Sequence, residues 1–293
     1  MQAASGVDHD EQAVRARPSL YVVATPMGNL ADITLRALDV LKRADAIAAE
    51  DTRVTARLLQ HYGLGAPLIA LHEHNERRAA ERILQVLAQG GCVALVTDAG
   101  TPGISDPGAV AVGMVREAGY PVVPVPGANA AICALSASGR AVPHFLFYGF
   151  LPQRGGARRG ALDELKALPH LLVFYEAPHR VLASVSDMAA VLGGARTITI
   201  ARELTKLFET IHTCELSEAS TWLAADANRV KGEFVLLVSG AEAEVTQPQA
   251  AQPVLEILLR ELPLKQAVKL AAQITGVAKN DVYELALQLR DTA

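Results

Sequence analysis

Thr97-Asp98-Ala99-Gly100-Thr101-Pro102-Gly103-Ile104-Ser105-Asp106-Pro107-Gly108 is the stretch that decides how the chain folds. It follows an apolar run, Cys92 to Val96, that reads as a buried strand. Gly100, Gly103 and Gly108, with Pro102 and Pro107, then forbid sheet or helix until about Ala109, so the backbone makes a long shaped turn at the carboxyl end of that strand. Strand-to-helix connections usually take about two to six residues, and this one is about twice as long. In an open α/β sheet ligands sit at that end of the strands. The length therefore reads as a ligand-shaped loop rather than a plain connector.

The same pattern repeats on both sides of it. Leu20 to Ala24 is a short β-type run that ends in Thr25-Pro26-Met27-Gly28-Asn29, after which Asp32 caps a helix with apolar positions Leu35, Leu38 and Leu41. Ala46 to Ala49 runs into Glu50-Asp51-Thr52-Arg53 and a helix to about His61; Leu68 to Leu71 runs into His72-Glu73-His74-Asn75-Glu76 and a helix to about Gln89. A helix around Val110 to Ala118 leads to Val122 to Val125 and then to Pro126-Gly127-Ala128-Asn129-Ala130. Alternating strands and helices give a parallel sheet, and right-handed crossovers collect all these turns along one edge.

A second α/β unit follows. Phe145 to Phe150 is an aromatic-rich strand, Pro152 to Gly160 a basic glycine-rich loop, Leu162 to Leu168 a helix, and Leu171 to Tyr175 a strand that turns at Glu176-Ala177-Pro178-His179-Arg180 into a helix reaching Leu192. Thr197 to Ala201 and Phe208 to Leu216 read as an antiparallel pair, and Glu233 to Val238 closes the unit. Residues 241 to 253 read as a linker. Val254 to Arg260, Lys265 to Ile274 and Asn280 to Leu289 are three short amphipathic helices, the last two spaced as a helix-turn-helix. The expected domains are a flexible tail over 1–17, α/β domains over 18–128 and 129–240, the linker, and a helical module over 254–293.

Composition sets the class. A chain of 293 residues, 51% apolar and 20% charged, exceeds what one ordinary core supports. A net charge of −4 argues against binding nucleic acid by bulk charge alone, while leaving room for a local basic surface. Cys92, Cys133 and Cys214 are odd in number, far apart and in apolar contexts, which argues against a disulfide framework or zinc site and reads as core thiols in a reducing cytosol. The first residues carry no apolar signal core, and no apolar run is long enough to span a bilayer, so a cytoplasmic protein without membrane partners is expected.

The usual dinucleotide and triphosphate fingerprints are missing, as is the Gly-x-Ser-x-Gly elbow, so a cofactor without phosphates suits these loops better. His72-Glu73-His74 supplies no third ligand in sequence, and no metal is expected. Glu50, Asp51, Glu73, Asp98 and Asp106, with Arg53 among them, make a charged rim. Helix capping is the alternative use for such acids, and Asp106 is assigned to it. Arg154, Arg158 and Arg159 lie among glycines with no acid, which suits either a mobile phosphate-contacting flap or a solvated linker.

Thr25-Pro-Met-Gly-Asn-Leu, Glu50-Asp-Thr-Arg, His74-Asn-Glu, the stretch from Asp98 to Gly108, and Phe174-Tyr-Glu-Ala-Pro-His-Arg together resemble the small-subunit ribosomal RNA methyltransferase I family, the RNA-directed branch of the tetrapyrrole methylase superfamily. The resemblance runs from about Leu20 to the carboxyl terminus. It implies two α/β domains of tetrapyrrole methylase type with S-adenosylmethionine in the cleft between them, a homodimer, 2′-O-methylation of a cytidine in the decoding region of 16S ribosomal RNA, and an RNA-binding role for the terminal helices. By motif position it places Asp98, Gly100, Thr101, Pro102, Gly103, Ile104, Gly127, Ala128, Asn129, Ala130, Tyr175 and Glu176 around the cofactor, with Pro26 and Gly28 facing the methionine moiety or the substrate. Arg53 and the three arginines of the loop would hold RNA. Methyl transfer to a ribose oxygen gains from alignment and from a positioned base. Glu50, Asp51 and Glu73 in the first half, and Lys206 and Glu209 in the second, are the candidates. A corrin-precursor C-methyltransferase and a non-enzymatic RNA-binding protein are the competing readings.

Overall fold

A computed structural model of the chain describes residues 17–141, 143–241 and 251–291. Most of the expected tail and linker lies outside them. The chain divides into two compact units: the larger runs to Lys166 and resumes over His170–Ser239, and the smaller comprises Ala167–Pro169 and the segment from Gly240.

In the larger unit, β1 (Leu20–Val23), β2 (Ala46–Ala49), β3 (Leu68–Ala70), β4 (Val93–Val96) and β5 (Val122–Val125) form a five-stranded sheet in the order β3-β2-β4-β1-β5. Every pairing is parallel. Strands buried on both faces need a near-continuous apolar sequence, which Ala46–Ala49 and Val93–Val96 supply. One face is covered by α1 (Leu35–Arg43) and α2 (Thr52–His61) through Ala37, Val40, Leu41 and Leu59; the other by α3 (Glu76–Ala88) and α4 (Ala109–Glu117) through Ala79, Ile83, Leu87, Ala111 and Val115. The chain leaves β1 and β2 toward one face and β4 toward the other. The loops at the carboxyl end of β4 are thus splayed from those of both neighbours, which opens a crevice there.

The second sheet has the order β6-β7-β10-β8-β9, with β6 (Phe145–Phe150), β7 (Leu171–Glu176), β8 (Thr197–Arg202), β9 (Thr210–Glu215) and β10 (Phe234–Val238). Only β6 and β7 run parallel. Here α5 (Ala130–Ala137) packs Ala131 and Ala134 against Leu171, Val173 and Val235, so the chain crosses to the second sheet directly after β5. The smaller unit buries Leu255, Val268, Ala271, Val282 and Ala286 among α9 (Gln252–Glu261), α10 (Leu264–Thr275) and α11 (Lys279–Asp291). Gly276 closes α10 in the left-handed conformation.

Several local expectations are corrected. Thr34, not Asp32, caps α1 by accepting from the Ala37 N–H, while Asp32 ends a short 3₁₀ turn over Leu30–Asp32. Leu35 is 86% exposed, so the buried stripe of α1 is Ala37, Val40 and Leu41. Glycine suggested a loop over residues 152–160, but α6 (Gly155–Leu165) begins there, because burial of Leu162 and Leu165 outweighs the poor helix propensity of Gly155, Gly156 and Gly160. Phe208 precedes β9, and Leu216 ends no strand but opens a helix, α8 (Leu216–Ala224). The three cysteines are half-buried rather than core residues.

Candidate active site

The loops that follow β1, β4 and β5 are stitched to one another. Thr25 and Gly100 exchange two main-chain hydrogen bonds, of 2.8 and 3.0 Å, as an isolated antiparallel bridge. The Thr25 hydroxyl donates to the Thr97 carbonyl at 2.9 Å, and the Thr101 hydroxyl to the Ala128 carbonyl at 2.9 Å. Gly100 has φ of 86°, a left-handed conformation that a side chain would strain. At the far end of the long loop, the Glu76 carboxylate accepts from the Gly108 N–H and fixes the start of α4. The second sheet reaches this loop at a bulge in β6, where a Cβ on Gly149 would come within 2.8 Å of the Ser105 hydroxyl oxygen.

Two cavities open around these loops. One, of about 390 Å³, lies among Gly100, Thr101, Ile104, Asp106, Ala130 and Tyr175; the other, of about 360 Å³, among Pro26, Gly28, Leu30, Val54, Arg57 and Lys206. Met27, Asp98, Ala99 and Glu233 line both, so the two share a boundary. A further cavity, of about 330 Å³, opens beside Asp45 and Cys92 at the opposite edge of the sheet, away from the strand-end loops.

The electrostatics of the two halves differ. Burial, reinforced by the Glu50 charge, pushes the Asp106 carboxyl up to about 6. Asp98 is raised by burial and by the neighbouring Glu50 and Asp51, although it accepts the Asp51 N–H at 3.0 Å. Glu50 Oε2 accepts from the Thr97 hydroxyl at 2.5 Å and from the Asp98 N–H at 3.3 Å. On the second half, Glu176 is fully buried and accepts from the Arg180 guanidinium, the Ser184 hydroxyl and the Ala177 N–H. Lys206 Nζ donates to Glu203 at 2.9 Å and to Glu233 at 2.8 Å. Burial works to lower the Lys206 pKa, but these two hydrogen bonds outweigh it and hold the ammonium above its ordinary value.

The geometry sorts the residues expected from sequence. Glu50, Asp98, Gly100, Thr101, Ile104, Asn129, Ala130, Tyr175 and Glu176 line the first cavity, and Pro26 and Gly28 the second. Pro102, Gly103, Gly127 and Ala128 line neither: a Cβ on Gly127 would lie 2.8 Å from that of Ala24, so that glycine serves packing. Asn129 caps α5 by accepting the Ile132 N–H. Asp51 caps α2 and is gripped by Arg53, whose hydrogen bonds hold its carboxyl at about 2. Glu73 is exposed and lines neither cavity, because the chain turns at His72, where Asn75 closes the loop, before reaching α3. Asp106 does not cap α4: Gly108 holds that position, and Asp106 lines the first cavity instead. The expected flap is helix, and Arg158, its side chain 7% exposed, pairs with Asp187 on α7 (Val181–Leu192) at 2.6 Å, with Arg159 on the same carboxylate at 3.1 Å. Among the described residues no group of three or more His, Cys, Asp or Glu side chains is placed to hold a metal ion.

Residues 19–220 match the family model of the tetrapyrrole (corrin/porphyrin) methylases, and residues 245–290 that of the RsmI C-terminal HTH domain. A ribosomal RNA small subunit methyltransferase I from Escherichia coli O157:H7 is 52% identical over 95% of this chain and 98% of its own length. This chain belongs to that methyltransferase I family. A member from Pseudomonas aeruginosa is 51% identical over 92% of this chain and 97% of its own. The family fold extends to more distant structures. The methyltransferase CobJ, 20% identical, superimposes with a TM-score of 0.58 over 76% of this chain and 95% of its own. A uroporphyrin-III C-methyl transferase from Thermus thermophilus, complexed with S-adenosyl homocysteine and 16% identical, gives 0.53 over 75% and 96%.

Proposed function

We propose that this methyltransferase, which uses S-adenosylmethionine, methylates the ribose 2′-oxygen of a cytidine in the decoding region of 16S ribosomal RNA. The observation that carries this reading is the pair of adjoining cavities at the crevice beside β4, one for a donor and one for an acceptor, with Met27 and Asp98 on their boundary.

The first cavity suits the donor. It combines apolar surface from Ile104, Phe150 and Tyr175 with the carboxylates of Glu50 and Asp106, a lining that accepts an aromatic ring at one end and a cation at the other. When bound, S-adenosylmethionine supplies an electrophilic methyl group on a sulfonium. Gly100, Thr101, Ile104, Ala130 and Tyr175 are proposed to hold it, while Pro102, Gly103 and Gly127 shape the loops behind them and Asn129, at the cavity's edge, caps α5. The protein's contribution is to hold donor and ribose in line and exclude water. Lys206, kept charged by two carboxylates, acts as a fixed cation in the second cavity rather than a base. Arg53, its side chain 84% exposed, and the exposed Arg154 are the arginines left to meet RNA phosphates, whereas Arg158 and Arg159 hold α6 on α7.

Three further elements accompany this reading. The α/β domains are taken as 18–128 and 129–240, because α5 already packs on the second sheet. A homodimer is proposed, with Leu207 and Phe208, 89% and 67% exposed, as apolar surface for the contact. The protein is placed in the cytoplasm with the small ribosomal subunit; among the described residues no helix is long and apolar enough to cross a membrane. The helix-turn-helix module favours an RNA over a corrin precursor, which would have no use for it.

Ribose-methylation mapping of 16S RNA from a strain lacking the gene, with and without the wild-type chain restored, tests the reading. One 2′-O-methylcytidine in the decoding region that disappears and returns with the gene is the expected result. Unchanged ribose methylation would overturn it.

A further inference from the structure

The 2′-hydroxyl of a ribose is a weak nucleophile at neutral pH, so its proton must leave as the new bond forms, and the acceptor of that proton has to stand where donor and acceptor meet. Among the described residues only two titratable ones line both cavities, Asp98 and Glu233. Glu233 already has its cation, since its Oε2 takes the Lys206 ammonium at 2.8 Å. Glu50 and Asp106 line the donor cavity alone, and Glu50 is turned to Thr97 and to the Asp98 N–H. Asp98 is differently held: Oδ1 accepts the N–H of Asp51 at 3.0 Å, which fixes the side chain's direction, and Oδ2 makes no hydrogen bond among the described residues.

We infer that Asp98 is the general base of the reaction, an assignment that rests on the ribose-methylation reading above. The ribose oxygen gives its proton to the Asp98 carboxylate and its electron pair to the methyl carbon. The bond from that carbon to sulfur breaks with its electrons on sulfur, leaving a neutral thioether, and the Asp98 carboxylic acid then returns the proton to water. The site supports this role in a second way. Asp98 is faced by Glu50 from the end of β2, by Asp51 and Arg53 from the start of α2, by Asp106 from its own loop, and by Glu233 and Lys206 from the second half. Burial and the carboxylates prevail over Arg53 and hold its proton affinity above that of an ordinary aspartate, which makes it a better acceptor.

D98N retains an oxygen for the Asp51 N–H, so the loop keeps its anchor, and D98E restores the carboxylate one methylene further out. In the full-length protein, calorimetry with S-adenosylmethionine and single-turnover methylation of small subunits from the deletion strain are measured from pH 5 to 9. The expected result is cofactor affinity within about three-fold of wild type for D98N, with the methylation rate down roughly 10²- to 10⁴-fold, the range a lost general base gives. D98E, which restores a carboxylate, recovers part of the rate. A D98N rate close to wild type, or a rate loss matched by an equal loss of cofactor affinity, would overturn the assignment while the wild-type reaction still stands. If wild-type protein itself leaves no methyl on ribose, the reading beneath falls and takes this assignment with it.

Discussion

The two halves of the larger unit use their charged groups in opposite ways. In the second half several charges are in ion pairs: Glu176 with Arg180, Arg158 with Asp187, Lys206 with Glu203 and Glu233. On the parallel sheet, Glu50, Asp98 and Asp106 stand together without an ion pair among the described residues, and burial, reinforced by their mutual repulsion, makes Asp98 and Asp106 hold their protons more tightly. Topology explains the contrast. Parallel strands send all their carboxyl ends to one edge, where loop residues project into a crevice and need not pair across a ladder. The second sheet offers a wall of side chains from its β6–β7 pair, with Phe147 and Phe150 set edge-on to Tyr175. One half holds reactive charge and the other gives it a rigid, neutral backing.

That contrast can be broken most directly at Glu176. E176A leaves the Arg180 guanidinium and the Ser184 hydroxyl without their partner beneath the aromatic wall, and should cost about 3–5 kcal/mol in urea unfolding. A loss under about 1 kcal/mol would mean that the second half is not held by its pairs. Asp106 tests the opposite half, with the opposite sign. Its folded pKa of about 6 lies above its ordinary 3.8, so folding favours the protonated form. The stability this contributes is present below about pH 4 and is lost as pH rises through 6. D106N should therefore be more stable than wild type by about 1–3 kcal/mol at pH 8 and equal to it at pH 4. No gain at pH 8 would show that the carboxylates are relieved by something other than their own neutralisation. The smallest effect is expected where the halves join, at Asn129. N129A removes the cap of α5 and should cost about 1 kcal/mol, with cofactor affinity changed less than about three-fold. A ten-fold weaker cofactor would make Asn129 a ligand as well as a cap.

How far the sequence could be read depended on how local the deciding interaction was. The strands of the parallel sheet were legible because both of their faces are buried, which writes a continuous apolar run. The long loop was legible because glycine and proline mark backbone that can be neither helix nor strand. Helix α6 was not, since Arg154 to Gly160 has the composition of a loop and becomes helix through burial of Leu162 and the pairing of Arg158 with a residue on another helix. Glu76 stands in the His74-Asn-Glu motif, but its bond to the Gly108 N–H spans 32 residues and leaves no local trace.

The sequence by itself determined the alternation of strands and helices, the row of turns, the family and hence the chemistry, because each is written in residue type and order. Which carboxylate is a cap, which is paired and which is open to both cavities was decided only in three dimensions. Asp51 and Asp98 are both acids just after a buried strand; Arg53 lies two residues from Asp51, while only folding leaves Asp98 on the boundary where two cavities meet. Proton affinity depends on burial and on charges a few ångströms away, and those distances come into being when β2 and β4 are laid side by side.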